Sequence, residues 1–368
     1  MLLSPAEFRE IVSGRRRGVR GALWRAGLAL LESPYAAAMR WRNWRYDRRP
    51  TAIRRLPVPV ISVGNITLGG VGKTPLVEWL ARWFQDRGVR VALISRGYGG
   101  EAGGYNDEAL ELAQKLPGTP HIQNPDRAAA GQMAIEQFGS QLLLLDDAFQ
   151  HRRIHRDLDI VVLDALEPLG YNRVFPRGAL REPLTGLKRA QVIALSRADL
   201  VTAQEREAIR QCVARYAPHA VWIEMRHRPR QLRADDGRTQ SLETLQGARI
   251  AAFCGIGNPA GFRRTLETCG CHVVALREFP DHYAYAPGDV DELAQWVAEQ
   301  SNVDMTICTH KDLVKIRRTS LGSYPLWALE IGIEILAGEA RLEQQLEVFW
   351  KDITQSAASP QGDGGPRP

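Results

Sequence analysis

The run Gly69-Gly70-Val71-Gly72-Lys73-Thr74 is where residue type and spacing in this chain most plainly suggest chemistry. Glycines at positive φ can turn backbone N–H groups toward an anion. A following lysine supplies a cation for terminal phosphates, and a threonine hydroxyl suits phosphate-bound Mg2+. With Thr67 and Leu68, these residues form a candidate loop for a nucleoside triphosphate. Thr67 occupies the place where the strict pattern G-x-x-x-x-G-K-[ST] has its first glycine. A second feature complements the loop. The apolar run 142–145 ends in Asp146-Asp147, which would bring carboxylates to the Mg2+ at the C-terminal edge of a strand.

These groups need elements to carry them. Residues 57–63 read as a buried strand entering the loop, and the helix after it extends to about residue 87, with Leu76, Leu80, Trp83 and Phe84 on one face. Strands are expected at 89–95, 142–145, 158–163 and 192–195, with helices around 107–116 and 126–138. Alternation at this spacing predicts an α/β fold of P-loop type, a mainly parallel sheet covered on both sides. The pattern lapses into a polar stretch over 226–247, which suggests a hinge. A smaller α/β unit follows over 248–325, with strands at 250–254, 272–276 and 305–309 and helices at 259–269 and 287–299. The expected organisation is therefore an N-terminal helix (1–48), a P-loop domain (49–225, completed by 335–354), the smaller domain and a disordered tail (359–368).

The 368 residues carry a formal charge of +6, with 44% hydrophobic and 24% charged residues, an ordinary globular composition. The charge is not spread over the body. Between Arg15 and Arg49 ten arginines face only Glu32 and Asp47, an excess of +8, so the rest is slightly acidic. This argues against a nucleic-acid partner. The apolar stretch 22–39 is broken by Arg25, Glu32 and Pro34, too polar for a spanning helix, and Pro34 threatens to split it. Trp24, Trp41 and Trp44 among arginines fit a helix lying in a membrane interface; a helix packed on the protein's own core is the alternative. Five scattered cysteines point to incidental thiols rather than a metal site.

Several further runs accompany the loop. They are Ser62-Val63-Gly64-Asn65, Ser95-Arg96-Gly97-Tyr98-Gly99, Asp107-Glu108 and Asp146-Asp147-Ala148-Phe149-Gln150-His151. Later come Gly178-Ala179-Leu180-Arg181-Glu182-Pro183, Phe279-Pro280-Asp281-His282 and Thr309-His310-Lys311-Asp312. Together they closely resemble the tetraacyldisaccharide 4'-kinases of lipid A biosynthesis, over nearly the whole chain. The resemblance implies transfer of the γ-phosphoryl of ATP, with Mg2+, to the 4'-hydroxyl of a lipid-linked disaccharide 1-phosphate. It also implies work at the cytoplasmic face of the inner membrane, with no obligate protein partner evident, and two domains closing over the nucleotide. By residue it implies Lys73 and Thr74 at phosphate and Mg2+, Asp146 and Asp147 as metal-side carboxylates, Asp107 as catalytic base and His282 as its helper. Arg127, Arg181 and Glu182 fall near substrate or cleft. Asn106 replaces a glycine expected before Asp-Glu, and His310 a glutamate expected before Lys-Asp.

Read from the residues alone, Asp107 also suits a helix N-cap, His282 a surface histidine and Arg181-Glu182 an exposed ion pair, while Tyr98 could stack or hydrogen-bond at the cleft or simply pack. Glu108, beside Asp107, joins the candidate cleft. A partner-switched, membrane-associated ATPase of the chromosome-partitioning or septum-site kind shares a GGVGKT loop, but carries a lysine where Leu68 stands. Ser196-Arg197-Ala198-Asp199 only faintly matches the N-K-x-D signature of guanine-nucleotide switches.

Overall fold

A computed structural model describes residues 5–97, 107–281 and 283–358. Tyr98, Asn106, His282 and the expected tail lie outside the described residues. The chain begins with α1 (Pro5–Val12), α2 (Val19–Arg48), β1 (Val60–Asn65), α3 (Lys73–Gln85), β2 (Val91–Ser95), α4 (Asp107–Lys115) and β3 (His121–Gln123). Next come α5 (Arg127–Phe138), β4 (Leu142–Asp146), β5 (Leu158–Asp164), β6 (Val192–Ser196), α6 (Ala203–Ala214) and β7 (Val221–Arg233). It continues through β8 (Thr239–Gln240), β9 (Arg249–Cys254), α7 (Pro259–Thr268), β10 (His272–Glu278), α8 (Pro287–Ala298) and β11 (Met305–Thr309). The last elements are α9 (His310–Ile316), β12 (Ser320–Leu321), β13 (Tyr324–Ala337) and α10 (Glu339–Ala358).

The strands form one sheet in the order β10-β9-β11-β13-β7-β6-β5-β1-β4-β2-β3, with β12 on β13 and β8 on β7. Two parallel blocks meet where β7 and β13 pair antiparallel, from Ala328↔Arg233 to Ala337↔Glu224. All six positions of β1 and all five of β4 are buried, because helices cover both faces. That is why these strands read as continuous apolar runs rather than alternating ones. Leu76, Val77, Leu80, Ala81 and Phe84 of α3 pack on one face with Leu112 of α4 and Leu342 and Leu346 of α10. Each of the larger of these side chains, fully buried, contributes about 1.5–3 kcal/mol. α5 covers the opposite face through Ala130 and Ala134.

Two expectations need correction. The polar stretch 226–247 is not irregular at its start: Arg226, Arg228, Gln231 and Arg233 lie in β7. Their side chains meet carboxylates of β13, Arg226 and Arg228 at Glu334 and Gln231 and Arg233 at Glu330. Cross-strand ion pairs replace apolar packing there, so a hydrophobic pattern cannot register the strand. Nor does Pro34 split α2, which runs unbroken for 30 residues. The carbonyl that proline leaves without a donor belongs to Leu30, which is 79% exposed and open to water.

One side of α2 docks on the body. Glu32 accepts from Val174 N, Tyr35 OH donates to the Arg181 carbonyl, and Asp47 pairs with Arg152 and Lys188. Leu23, Trp24, Leu30, Leu31, Trp41 and Trp44 stay exposed. Among the described residues, no helix is long and apolar enough to cross a membrane. The cysteines are unpaired, and four of the five are buried.

Candidate active site

The glycine loop lies between β1 and α3, at the C-terminal end of a central strand. Gly69 (φ 100°) and Gly72 (φ 83°) adopt left-handed backbone. A Cβ on Gly72 would also stand 2.5 Å from His227 Nε2 and 2.9 Å from Ser196 Oγ, so conformation and space both demand glycine. Thr67 needs no such freedom. It is buried in an antiparallel bridge to Leu180, next to the Leu68 N–H bonded to the Ala179 carbonyl at 2.7 Å. Arg181 N–H donates back to the Ile66 carbonyl. The segment 178–183 thus splints the loop entrance, and an extended residue replaces the missing glycine.

Lys73 opens α3, its Nζ 3.2 Å from Asn65 Oδ1 and 3.4 Å from Asp147 Oδ1. Thr74 beside it is buried. β4 pairs directly with β1 and ends at Asp146; Asp147 follows with φ 51°, unusual for a residue with a side chain. Both Asp147 oxygens accept from Arg181 Nη1 at 3.0 Å. Burial works to raise the Asp147 carboxyl, but the Lys73 ammonium and the Arg181 guanidinium prevail and hold it below its ordinary value. Asp146 goes the other way. Burial, with the charges of Asp147 and Glu108 added and Lys73 opposing, pushes it up to about 6.

Asp146 Oδ1 is buried with no hydrogen-bond partner among the described residues, as expected of a carboxylate awaiting a cation. Oxygen donors at Thr74, Asp146 and Asp147 suit Mg2+, which binds through few protein ligands plus substrate phosphates. Among the described residues no cluster of His, Cys, Asp or Glu makes an all-protein metal cage.

Arg181 and Glu182 are not an exposed pair. Glu182 is wholly buried and accepts from Asn43 (2.7 Å), Gln150 (3.1 Å) and Arg189 (2.8 Å). It links α2 to the Asp-Asp-Ala-Phe-Gln segment, whose Phe149 leaves no room for a Cβ on Gly64. Arg127, first residue of α5, is 4% exposed, with Nε unpartnered among the described residues and Nη1 bonded to the Pro125 carbonyl. Burial and then Arg96 depress its pKa, while the charges of Asp147 and Asp146 support it.

Asp107 and Glu108 begin α4 and meet two lysines of α9: Lys315 Nζ at 2.7 Å from Asp107 Oδ2, and Lys311 Nζ at 2.8 Å from Glu108 Oε1. Asn65, Gln150 and Lys311 stood in the quoted sequence runs without an assigned role, and Lys315 and His227 were not singled out from sequence. Only the recurrence of lysine at 311 and 315, one helical turn apart, hinted at a shared face. Arg197, in the stretch that faintly matches a guanine reader, is ion-paired with Asp164. Tyr98 and His282 lie outside the described residues.

A glycine loop between strand and helix, with an aspartate pair at the end of the adjacent parallel strand, defines a P-loop phosphate-binding protein of the α/β class. The chain belongs to the tetraacyldisaccharide-1-P 4'-kinase family, whose sequence profile matches residues 24–350. It is 38% identical to the tetraacyldisaccharide 4'-kinase of Anaeromyxobacter sp. (strain K), covering 96% of each chain. It is 34% identical to that of Halothermothrix orenii, over 88% of this chain and 92% of the relative. The crystal structure of LpxK from Aquifex aeolicus in complex with ATP superposes with a TM-score of 0.72 at 29% identity, covering 89% of this chain and 99% of that one.

Proposed function

We propose that this chain transfers the γ-phosphoryl group of ATP to the 4'-hydroxyl of a tetraacyldisaccharide 1-phosphate. Family membership supports the reaction. The observation that carries it within the site is Lys73, held between Asn65 and the Arg181-bound Asp147 at the mouth of the glycine loop. Loop amides of residues 69–74 bind the phosphates, and Lys73 neutralises the terminal ones. Thr74, Asp146 and Asp147 would hold Mg2+, which supplies charge neutralisation on the phosphate oxygens. Arg127 and Arg181 add positive charge around the same carboxylates.

The 4'-oxygen bonds to the γ-phosphorus as the bridge to the β-phosphate breaks, and ADP leaves with the bonding electron pair. The hydroxyl proton passes to Asp107, which a base within reach of the acceptor can take. His282 is assigned to assist that carboxylate and Tyr98 to contact substrate, Glu108 lies beside the base, and Glu182 fixes the splint. The exposed tryptophans and leucines of α2, with the +8 of residues 15–49, hold the enzyme peripherally on an anionic membrane where its acceptor resides. Domain closure over ATP excludes water from the transfer.

The test is direct. Protein, ATP, Mg2+ and the tetraacyldisaccharide 1-phosphate are incubated, and the lipid is analysed by mass spectrometry with site localisation. A product phosphorylated at the 4'-position is expected. An unchanged lipid with folded protein that binds ATP would reject the proposal.

A further inference from the structure

α9 is a firmly anchored platform. Asp312, wholly buried within it, accepts from Gly255 N–H at 3.1 Å, Thr309 Oγ1 at 2.5 Å and Tyr285 OH at 3.0 Å. These bonds fix the helix to the end of β9. From this platform two lysines one turn apart reach the two carboxylates that begin α4. The pairs are not equivalent: Lys315 is 11% exposed and Lys311 is 31% exposed. Lys315 also makes a second bond, donating to the Tyr283 carbonyl at 3.1 Å. α4 follows β2, on the P-loop side of the β7–β13 junction, whereas α9 and Tyr283 follow β11 and β10 on the other side. One ammonium therefore joins Asp107 to backbone from the opposite block.

We infer that Lys315 is a positioning residue for phosphoryl transfer, orienting the Asp107 carboxylate by binding Oδ2 and tying it to the chain at Tyr283. The inference rests on the reading of Asp107 as the base. An ammonium at this distance lowers a carboxylate's affinity for protons, which by itself works against general-base action. Its benefit must be geometric. With Oδ2 fixed by the ammonium the carboxylate cannot swing freely, so its orientation is set before the acceptor arrives. A pair this buried is also screened less by salt than a surface pair. Lys311 makes no corresponding contact with the base; it holds Glu108.

The experiment compares full-length Lys315→Met, Lys315→Arg and Lys311→Met with the native enzyme, alone and combined with Asp107→Asn, with melting temperature recorded for each. Lys315→Met should lower kcat about ten- to a hundred-fold. Its KM values for ATP and acceptor should stay within about three-fold of native. Lys315→Arg, which keeps a cation with several N–H donors, should recover most of the loss, and Lys311→Met should lose much less. In the Asp107→Asn background, Lys315→Met should cost nothing further. Native kcat in Lys315→Met, losses that multiply with Asp107→Asn, or an equal loss in Lys311→Met would each overturn the inference. If Lys315→Met does not fold, Lys315→Gln makes the same comparison. Retained turnover in Asp107→Asn overturns the base reading and this inference with it. An inactive Asp107→Asn beside a native-like Lys315→Met overturns this inference alone.

Discussion

At the residue scale, Lys73 shows how one side chain can serve a ligand rather than the fold. Its contacts are Asn65 and Asp147, both polar and both at the loop mouth, so replacing it leaves the apolar core intact. Lys73→Ala should lower kcat by about 10²–10³-fold, the scale of losing one charged stabiliser of the transferring group. Its circular-dichroism melting curve should stay near native. Substantial turnover in folded Lys73→Ala would remove the loop from the reaction. The glycine loop and the aspartate pair were legible in sequence because their chemistry is local. The bond from Arg181 to Asp147 was not, since 34 positions separate them and only the splint at residues 178–183 brings them together. Thr67 looked like a defect in the motif; the β-bridge to Leu180 makes it a working alternative to glycine.

At the element scale, most helices and strands followed from apolar periodicity, and β7 and α6, which did not, share a cause. β7 is stabilised by ion pairs to Glu330 and Glu334, and α6 is largely exposed, held at its start by a capping box between Thr202 and Glu205. Neither leaves the apolar stripe that a sequence reading seeks.

A buried ionic cluster locks α3 to α4. Lys115 lies 2.8 Å from Glu111 and 3.3 Å from Glu78, its side chain 1% exposed, and donates to the Ile331 carbonyl of β13. Lys115→Met should destabilise by about 3 kcal/mol, because two buried carboxylates lose their shared cation. Glu78 keeps Arg82 and Arg230, which limits the loss. Urea unfolding at neutral pH measures it, and an unchanged midpoint would deny the cluster any stabilising role. α2 divides its duties between docking and exposure. Deleting residues 1–48 should abolish binding to anionic vesicles, and salt should weaken binding by the intact chain. Vesicle binding that survives both treatments would place the contact elsewhere.

At the scale of the whole molecule, buried histidines set the response to acid. Burial holds His121, His151, His227 and His310 down to about 4, against 6.5 for the free side chain. Between those values the unfolded chain binds more protons than the folded one, so stability falls as pH drops through that window. For His121 and His310, the most buried of the four, the effect is at most about 3 kcal/mol each. Asp146, raised to about 6, opposes them, as do Asp159, Asp164 and Asp312, which burial raises, while the lowered carboxyls of Glu111, Asp147 and Glu330 act with the histidines. The urea midpoint should therefore fall between pH 7 and pH 4, and a flat profile would contradict the burial of these imidazoles.

The division of labour over the whole chain bears on function too. A continuous sheet carries the phosphate loop on one parallel block and the α9 platform on the other, meeting at the α4 carboxylates. A switch ATPase would consume ATP for its own conformational cycle, whereas a kinase of this design should spend it only on an acceptor. The measurement that separates them follows γ-labelled ATP on anionic vesicles with and without the tetraacyldisaccharide 1-phosphate, counting label in lipid and in free phosphate. The account predicts slow hydrolysis without acceptor and, with it, label entering the lipid in step with ADP formed. ATP turnover indifferent to the acceptor, with all label released as free phosphate, would contradict it.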